Sequence, residues 1–112
     1  MTKNKTTKFI EKNGQKFEVV WERPESLNDK YMHFCPGCAH STLESLIMEV
    51  LDEQDLIEKT IGVSPVGCSV FAYDYMDIDM HEAAHGRATA VATGIARVFP
   101  DHFVLLFKVM VI

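Results

Sequence analysis

The sequence predicts an α/β fold, a parallel sheet with flanking helices, and three stretches predict it. From Ser41 to Leu51 the apolar residues recur on a helical period, and Thr60-Ile61-Gly62-Val63 has the β-branched content of a short buried strand. A second helix opening at His85 then leads into Phe103 to Ile112, a run so apolar that it reads as a strand covered on both faces. Strand, helix, strand is a βαβ unit, the building block of a parallel sheet.

Length and charge bound the rest. The 112 residues suit one domain, and 47% hydrophobic with 24% charged residues leaves room for a modest core. A net charge of -5 argues against nucleic acid as a partner, since phosphate binding needs a clustered basic surface. Lys3, Lys5, Lys8, Lys12 and Lys16, with Glu11 among them, make residues 1–30 a polar leader, expected to be solvated and partly disordered. Residues 31–112 carry the folded unit. No apolar run approaches the roughly 20 residues that span a bilayer, and the start lacks a secretory apolar region, so no membrane role and a cytoplasmic location are expected.

Within the leader, Lys16-Phe17-Glu18-Val19-Val20-Trp21 alternates weakly and suits a short edge strand. Pro24 to Lys30 is a polar connection leading into Tyr31-Met32-His33-Phe34. Ser41 and Glu44 have the S-x-x-E spacing of a capping box, which predicts a helix start near Ser41. Leu43, Leu46, Ile47, Val50 and Leu51 form its apolar stripe. After the strand at 60–63, Ser64-Pro65-Val66-Gly67-Cys68-Ser69 reads as a loop at the strand's C-terminal end, the edge where open α/β sheets bind ligands. Phe71 to Met80 mixes aromatics and acids without a clear period and is expected to be irregular. In the helix after His85, Val91, Ile95, Val98 and Phe99 share a face, Ala88, Ala92 and Gly94 allow close approach to a neighbour, and Pro100 stops it.

The chemistry lies in the cysteines and in one tripeptide. Cys35-Pro36-Gly37-Cys38 sits at a helix mouth, where the helix-end dipole favours thiolate over thiol. Cys68 lies in the loop at the ligand edge of the sheet. Three cysteines make no disulfide framework and point to metal or redox use. An iron-sulfur cluster would need four thiolates, and a tetrahedral zinc could be completed by His33, His40, His81 or His85. The bland alternative is a buried apolar Cys68 beside an unliganded pair. A thioredoxin-like dithiol also fits a C-P-x-C pair at a helix start, but a polar, loop-like segment precedes it where that motif follows a sheet strand. His85-Gly86-Arg87 at a helix start has the parts of an anion site: free amides, a glycine allowing close approach, and a guanidinium that grips phosphate bidentately.

Taken together, Cys35-Pro36-Gly37-Cys38-Ala39-His40, Gly62 to Ser69 and His85-Gly86-Arg87-Ala88 resemble, in order and separation, the thiamine diphosphate-binding β subunit of the 2-oxoacid:ferredoxin oxidoreductases, particularly its 2-oxoglutarate or 2-oxoisovalerate branch. The resemblance covers about residues 30 to 104. It implies part of a thiamine diphosphate-binding fold, with Cys35, Cys38 and Cys68 as three of four ligands of a [4Fe-4S] cluster. It also implies Gly67, Ser69, His85, Gly86 and Arg87 around thiamine diphosphate. The implied activity is oxidative decarboxylation of a 2-oxoacid to an acyl-coenzyme A, with electrons passing through the cluster to ferredoxin. The implied partners are an α subunit and γ or δ subunits.

Ala39 and Ser41 stand where the family usually has glycines, and Thr89 where proline is common. The larger departure follows Phe103. There the family strand leads to a Gly-Asp-Gly-Asp segment and later an asparagine that hold Mg2+ and the diphosphate, and still further on to the fourth cluster cysteine. Here Leu105 to Ile112 follow instead. The resemblance therefore implies the N-terminal part of a β subunit, truncated after an apolar strand and inactive alone. A small zinc-binding or thiol redox module using Cys35 and Cys38 is the alternative.

Overall fold

The computed structural model describes residues 7–107. Asn13 and Gly14 both adopt positive φ, 54° and 73°, as the centre of a two-residue hairpin turn requires. They join strands β1 (Phe9–Lys12) and β2 (Gln15–Glu18), which pair antiparallel with Lys12 opposite Gln15. The leader expected to be a solvated tail thus contains a hairpin. The strand expected over 16–21 is shorter, and its partner is local. All eight strand residues are exposed, so the hairpin's hydrogen bonds hold it rather than a core. Further on, the leader is tied down. Asn28 donates its backbone N–H to the Tyr75 carbonyl at 2.7 Å, and the Asp77 N–H to that of Ser26 at 2.8 Å.

Helix α1 (His40–Gln54) starts on Ala39 without a side-chain cap. The capping box is therefore not formed. Ser41 lies inside the first turn, where its carbonyl accepts from Ser45 Oγ at 2.8 Å, and Glu44 turns inward to 1% exposure. The buried face is Glu44, Met48 and Leu51, spaced i, i+4, i+7. Leu43, Leu46 and Val50 of the expected stripe are about half exposed, so the stripe is rotated from the one the leucines suggested. Asp55, in the left-handed conformation, closes the helix.

Strand β3 (Thr60–Ser64) is central and buried, with β4 (Asp79–Glu82) and β5 (Phe103–Leu106) parallel on either side. Gly62 stands opposite both Met80 and Leu105. The stretch expected to be irregular is ordered: a 3-10 turn over Cys68–Phe71, a single turn α2 (Ala72–Tyr75), then β4. Its acids alternate with Ile78 and Met80, whose half-buried side chains pack on the core. Helix α3 (Ala88–Val98) turns Ala88 and Ala92 inward, with Val91 and Ile95 beside them. Val98 and Phe99, expected on that face, are exposed, because small residues make the closest contact with the sheet. Strand β5 is packed on both faces as expected, but among the described residues it lies at the edge of the sheet, and Phe103 is half exposed. Residues 108–112 of the expected strand lie outside the described residues.

The sheet separates two cores. Leu105 and Phe107 pack with Leu27, Met48, Leu51 and Met76, whereas Val104 and Leu106 pack with Val63, Ala83, Ala88 and Ala92. Successive strand residues point to opposite faces, so α1 covers one face and α3 the other.

Candidate functional site

All three strands of the sheet run the same way, so their C-terminal ends share one edge. The loop after β3 and the loop after β4 leave this edge side by side, joined by the Ala83 N–H donating to the Ser64 carbonyl at 3.0 Å. In the first loop Gly67 has φ 155°, and in the second Gly86 has φ 73°. Neither has a heavy atom within 4 Å of where a Cβ would stand. The backbone is open to close approach at both positions. Arg87 follows at the start of α3, exposed and without an ion pair among the described residues. His85 is exposed in the same loop. Four of the five residues expected around a phosphorylated ligand are thus open on two adjacent loops, and Ser69, the fifth, is buried beneath the first with an unpaired Oγ.

The cysteines lie in two segments. Gly37, with φ 79°, makes the tight turn that brings the Cys38 N–H to the Cys35 carbonyl at 3.0 Å. All three thiols are free, with Cys35 and Cys68 exposed and Cys38 half-buried. A ring cluster links their segments. His33 stands 4.6 Å from Phe34, just before Cys35, and 5.1 Å from Phe71, at the end of the turn that Cys68 begins. Tyr75 holds His33 through its hydroxyl, 2.5 Å from Nδ1 and 3.0 Å from the backbone N–H that donates to it. Among the described residues no three His, Cys, Asp or Glu side chains are arranged to hold a metal ion. Of the histidines considered as zinc ligands, His40 touches a thiol, with Nδ1 2.6 Å from Cys38 Sγ. His33 is taken up by Tyr75, and His81 and His85 make no polar contact with a cysteine among the described residues.

Glu44 is the residue that sequence reasoning assigned to the wrong task. Both carboxyl oxygens are buried without a hydrogen-bond partner, and burial raises its pKa from the usual 4.5 to about 7. It lines a cavity of about 470 Å³ between α1 and the end of β5, together with His40, Ile47, Ser69, Leu105 and Phe107. A signal for this was present. Glu44 falls four and seven residues before Met48 and Leu51, on the face that both bury.

No protein-family model matches the chain. It is 41% identical over 102 residues to ketoisovalerate oxidoreductase subunit VorA of Methanothermobacter thermautotrophicus, covering 91% of this chain and 21% of that protein. It is 35% identical over 81 residues to 2-oxoglutarate synthase subunit KorB of Methanocaldococcus jannaschii, covering 70% of this chain and 30% of that one. In structure it matches 2-oxoglutarate:ferredoxin oxidoreductase from Magnetococcus marinus, solved with 2-oxoglutarate, coenzyme A and succinyl-CoA bound. The TM-score is 0.66 at 30% identity, over 76% of this chain and 30% of that chain. The chain belongs to the 2-oxoacid:ferredoxin oxidoreductases. It spans about a fifth to a third of the length of the curated oxidoreductase subunits it matches. The parallel three-stranded sheet with helices on both faces is thus a fragment of an oxidoreductase domain. Among the described residues no helix is long and apolar enough to cross a membrane.

Proposed function

We propose that the chain forms part of the thiamine diphosphate-binding β subunit of a 2-oxoacid:ferredoxin oxidoreductase, supplying one wall of the cofactor site and three ligands of a [4Fe-4S] cluster. Membership of the family, together with two glycine-bearing loops at one sheet edge, carries this reading. The loop residues fit the cofactor, and the three thiols are the soft donors a cluster takes, although among the described residues they are not gathered around one point. Gly67 and Gly86 leave the backbone open to a bulky ligand, Ser69 has a buried hydroxyl without a partner, and the exposed Arg87 guanidinium is free to pair with a diphosphate. The first amides of α3 add donors on the same side. Cys35, Cys38 and Cys68 are free thiols, the soft donors that iron-sulfur clusters take, on segments that meet through the ring contacts of His33.

When bound, thiamine diphosphate would supply a nucleophile for the 2-oxo carbonyl, and a cluster would supply a path for electrons toward ferredoxin. The protein's part here is binding and orientation: Arg87 and the α3 amides would hold the anionic end, and the two glycine loops leave the backbone open to it at the sheet edge. No residue of this chain is assigned to Mg2+, and a fourth thiolate has to come from outside this sequence. Turnover with a 2-oxoacid and coenzyme A, and association with α and γ or δ subunits, therefore belong to the assembled enzyme.

Anaerobic reconstitution of a complete subunit containing this sequence, read by cluster absorption and by iron and zinc analysis, tests the proposal. Cys68→Ser should abolish cluster formation, since a hydroxyl replaces a soft thiolate poorly. His81→Ala and His85→Ala should leave the cluster in place. Bound zinc that survives Cys68→Ser and is lost on His40→Ala would overturn the reading in favour of a zinc module built on Cys38 and His40.

A further inference from the structure

We propose that Tyr75 is a positioning residue for the cysteine centre: its hydroxyl sets the segment that carries Cys35 and Cys38 against the turn that carries Cys68. This rests on the cluster reading above and names what holds its two cysteine segments to each other. A tyrosine hydroxyl taken out of water needs a partner. Tyr75 is 4% exposed, and its hydroxyl meets two atoms of one residue, His33. It accepts the His33 backbone N–H at 3.0 Å and lies 2.5 Å from Nδ1, so main chain and ring are held at once, two residues before Cys35.

On its own side Tyr75 is coupled to Cys68 through the backbone. The 3-10 turn Cys68–Phe71 runs directly into α2, which Tyr75 ends. Phe71 of that turn also meets the His33 ring edge-on, at 5.1 Å. The main chain ties this stretch to the leader again: the Tyr75 carbonyl accepts the Asn28 N–H at 2.7 Å, Leu27 bridges antiparallel to Met76, and Lys30 pairs with Asp74 at 2.7 Å. On the other side, contact passes from Tyr75 to the Phe34 ring at 5.9 Å, from Phe34 to the stacked His40 ring at 5.0 Å, and from His40 Nδ1 to Cys38 Sγ at 2.6 Å. One ring cluster therefore touches the segments of all three thiols. Filling the core needs the ring of Tyr75 but not its hydroxyl, and it is the hydroxyl that reaches across to the cysteine segment. Ligands already held in place lose less freedom on binding, so such a frame slows the release of any one thiolate.

The test uses the complete subunit containing this sequence, reconstituted anaerobically, and reads the rate of cluster loss to an iron chelator by absorption, together with the EPR spectrum of the reduced cluster. Tyr75→Phe keeps the ring and all three thiols, so the cluster should form and then be lost about tenfold faster, with a broadened EPR spectrum as the thiolates sample more than one arrangement. His33→Ala removes the ring that Tyr75 and Phe71 hold, should shift both readouts in the same direction, and carries the test if Tyr75→Phe does not fold. Ile95→Ala loosens the core on the other face of the sheet and should leave both readouts unchanged. Wild-type protein that takes up no cluster, or Cys68→Ser that takes it up as well as wild type, would remove the cluster reading itself. With that reading intact, the proposal is overturned if Tyr75→Phe and His33→Ala lose the cluster at the wild-type rate, or if Ile95→Ala speeds the loss as much as they do.

Discussion

Replacing Glu44 by glutamine tests how an unpaired carboxyl shapes the stability of this fold. In the unfolded chain Glu44 releases its proton near pH 4.5, whereas in the folded chain burial holds the proton up to about pH 7. Between those values the folded state binds more protons than the unfolded one, so stability falls as pH rises; above about pH 7 the loss is complete, and below pH 4.5 it vanishes. At about 1.4 kcal/mol per pH unit the full interval is worth about 3 kcal/mol. Solvent relaxation around the carboxylate lowers the loss expected between pH 5 and pH 8 to about 2 kcal/mol. Glutamine also leaves a buried amide unpaired, but that cost is the same at both pH values. The readout is therefore the difference between pH 5 and pH 8, by thermal unfolding followed by circular dichroism. The wild type should lose about 10 °C more than Glu44→Gln across that range. All groups other than residue 44 are common to both proteins, and their contributions cancel in the difference. An equal loss in the two proteins would refute the buried, ionisable placement of Glu44.

Two further changes probe the sheet. Phe107→Ala removes a ring that is 5% exposed in the α1-side core, at a residue whose N–H donates to the Val63 carbonyl, and should cost about 3–5 kcal/mol in urea denaturation; a cost near zero would show that the end of β5 is not packed. Gly62→Ala would place a Cβ 2.1 Å from Met80 Sδ, but the methionine end can swing aside, so a loss of about 1–3 kcal/mol is expected, partly restored by Met80→Ala in the same chain; additive effects would argue against that contact.

The cysteine turn, the strand at Thr60 and the helix stop at Pro100 were legible because each depends on neighbours in sequence: a glycine with positive φ, a run of β-branched residues, a ring without an N–H. The same local logic ordered the loop after β3 and the helix start at Arg87, which is why the loop residues around Gly67 and Gly86 could be named before the fold was known. The Asn13-Gly14 hairpin was equally legible, and its lysines masked it by reading as a solvated tail. Other features were not local. Ser41 and Glu44 satisfy the spacing of a capping box, but whether Glu44 caps or is buried depends on which side of α1 the sheet approaches. That choice also left Leu43, Leu46 and Val50 outside the core, although their spacing was helical. The alternation at Ile78 to Glu82 is short and acidic, and becomes β4 only because β3 offers it a parallel edge. By itself the sequence determined the class of fold and the family, both of which are written in neighbouring side chains. The order β4-β3-β5, and the unpaired carboxyl it encloses with α1, were decided only by tertiary packing, because burial is set by what lies across a gap and not by what comes next in the chain.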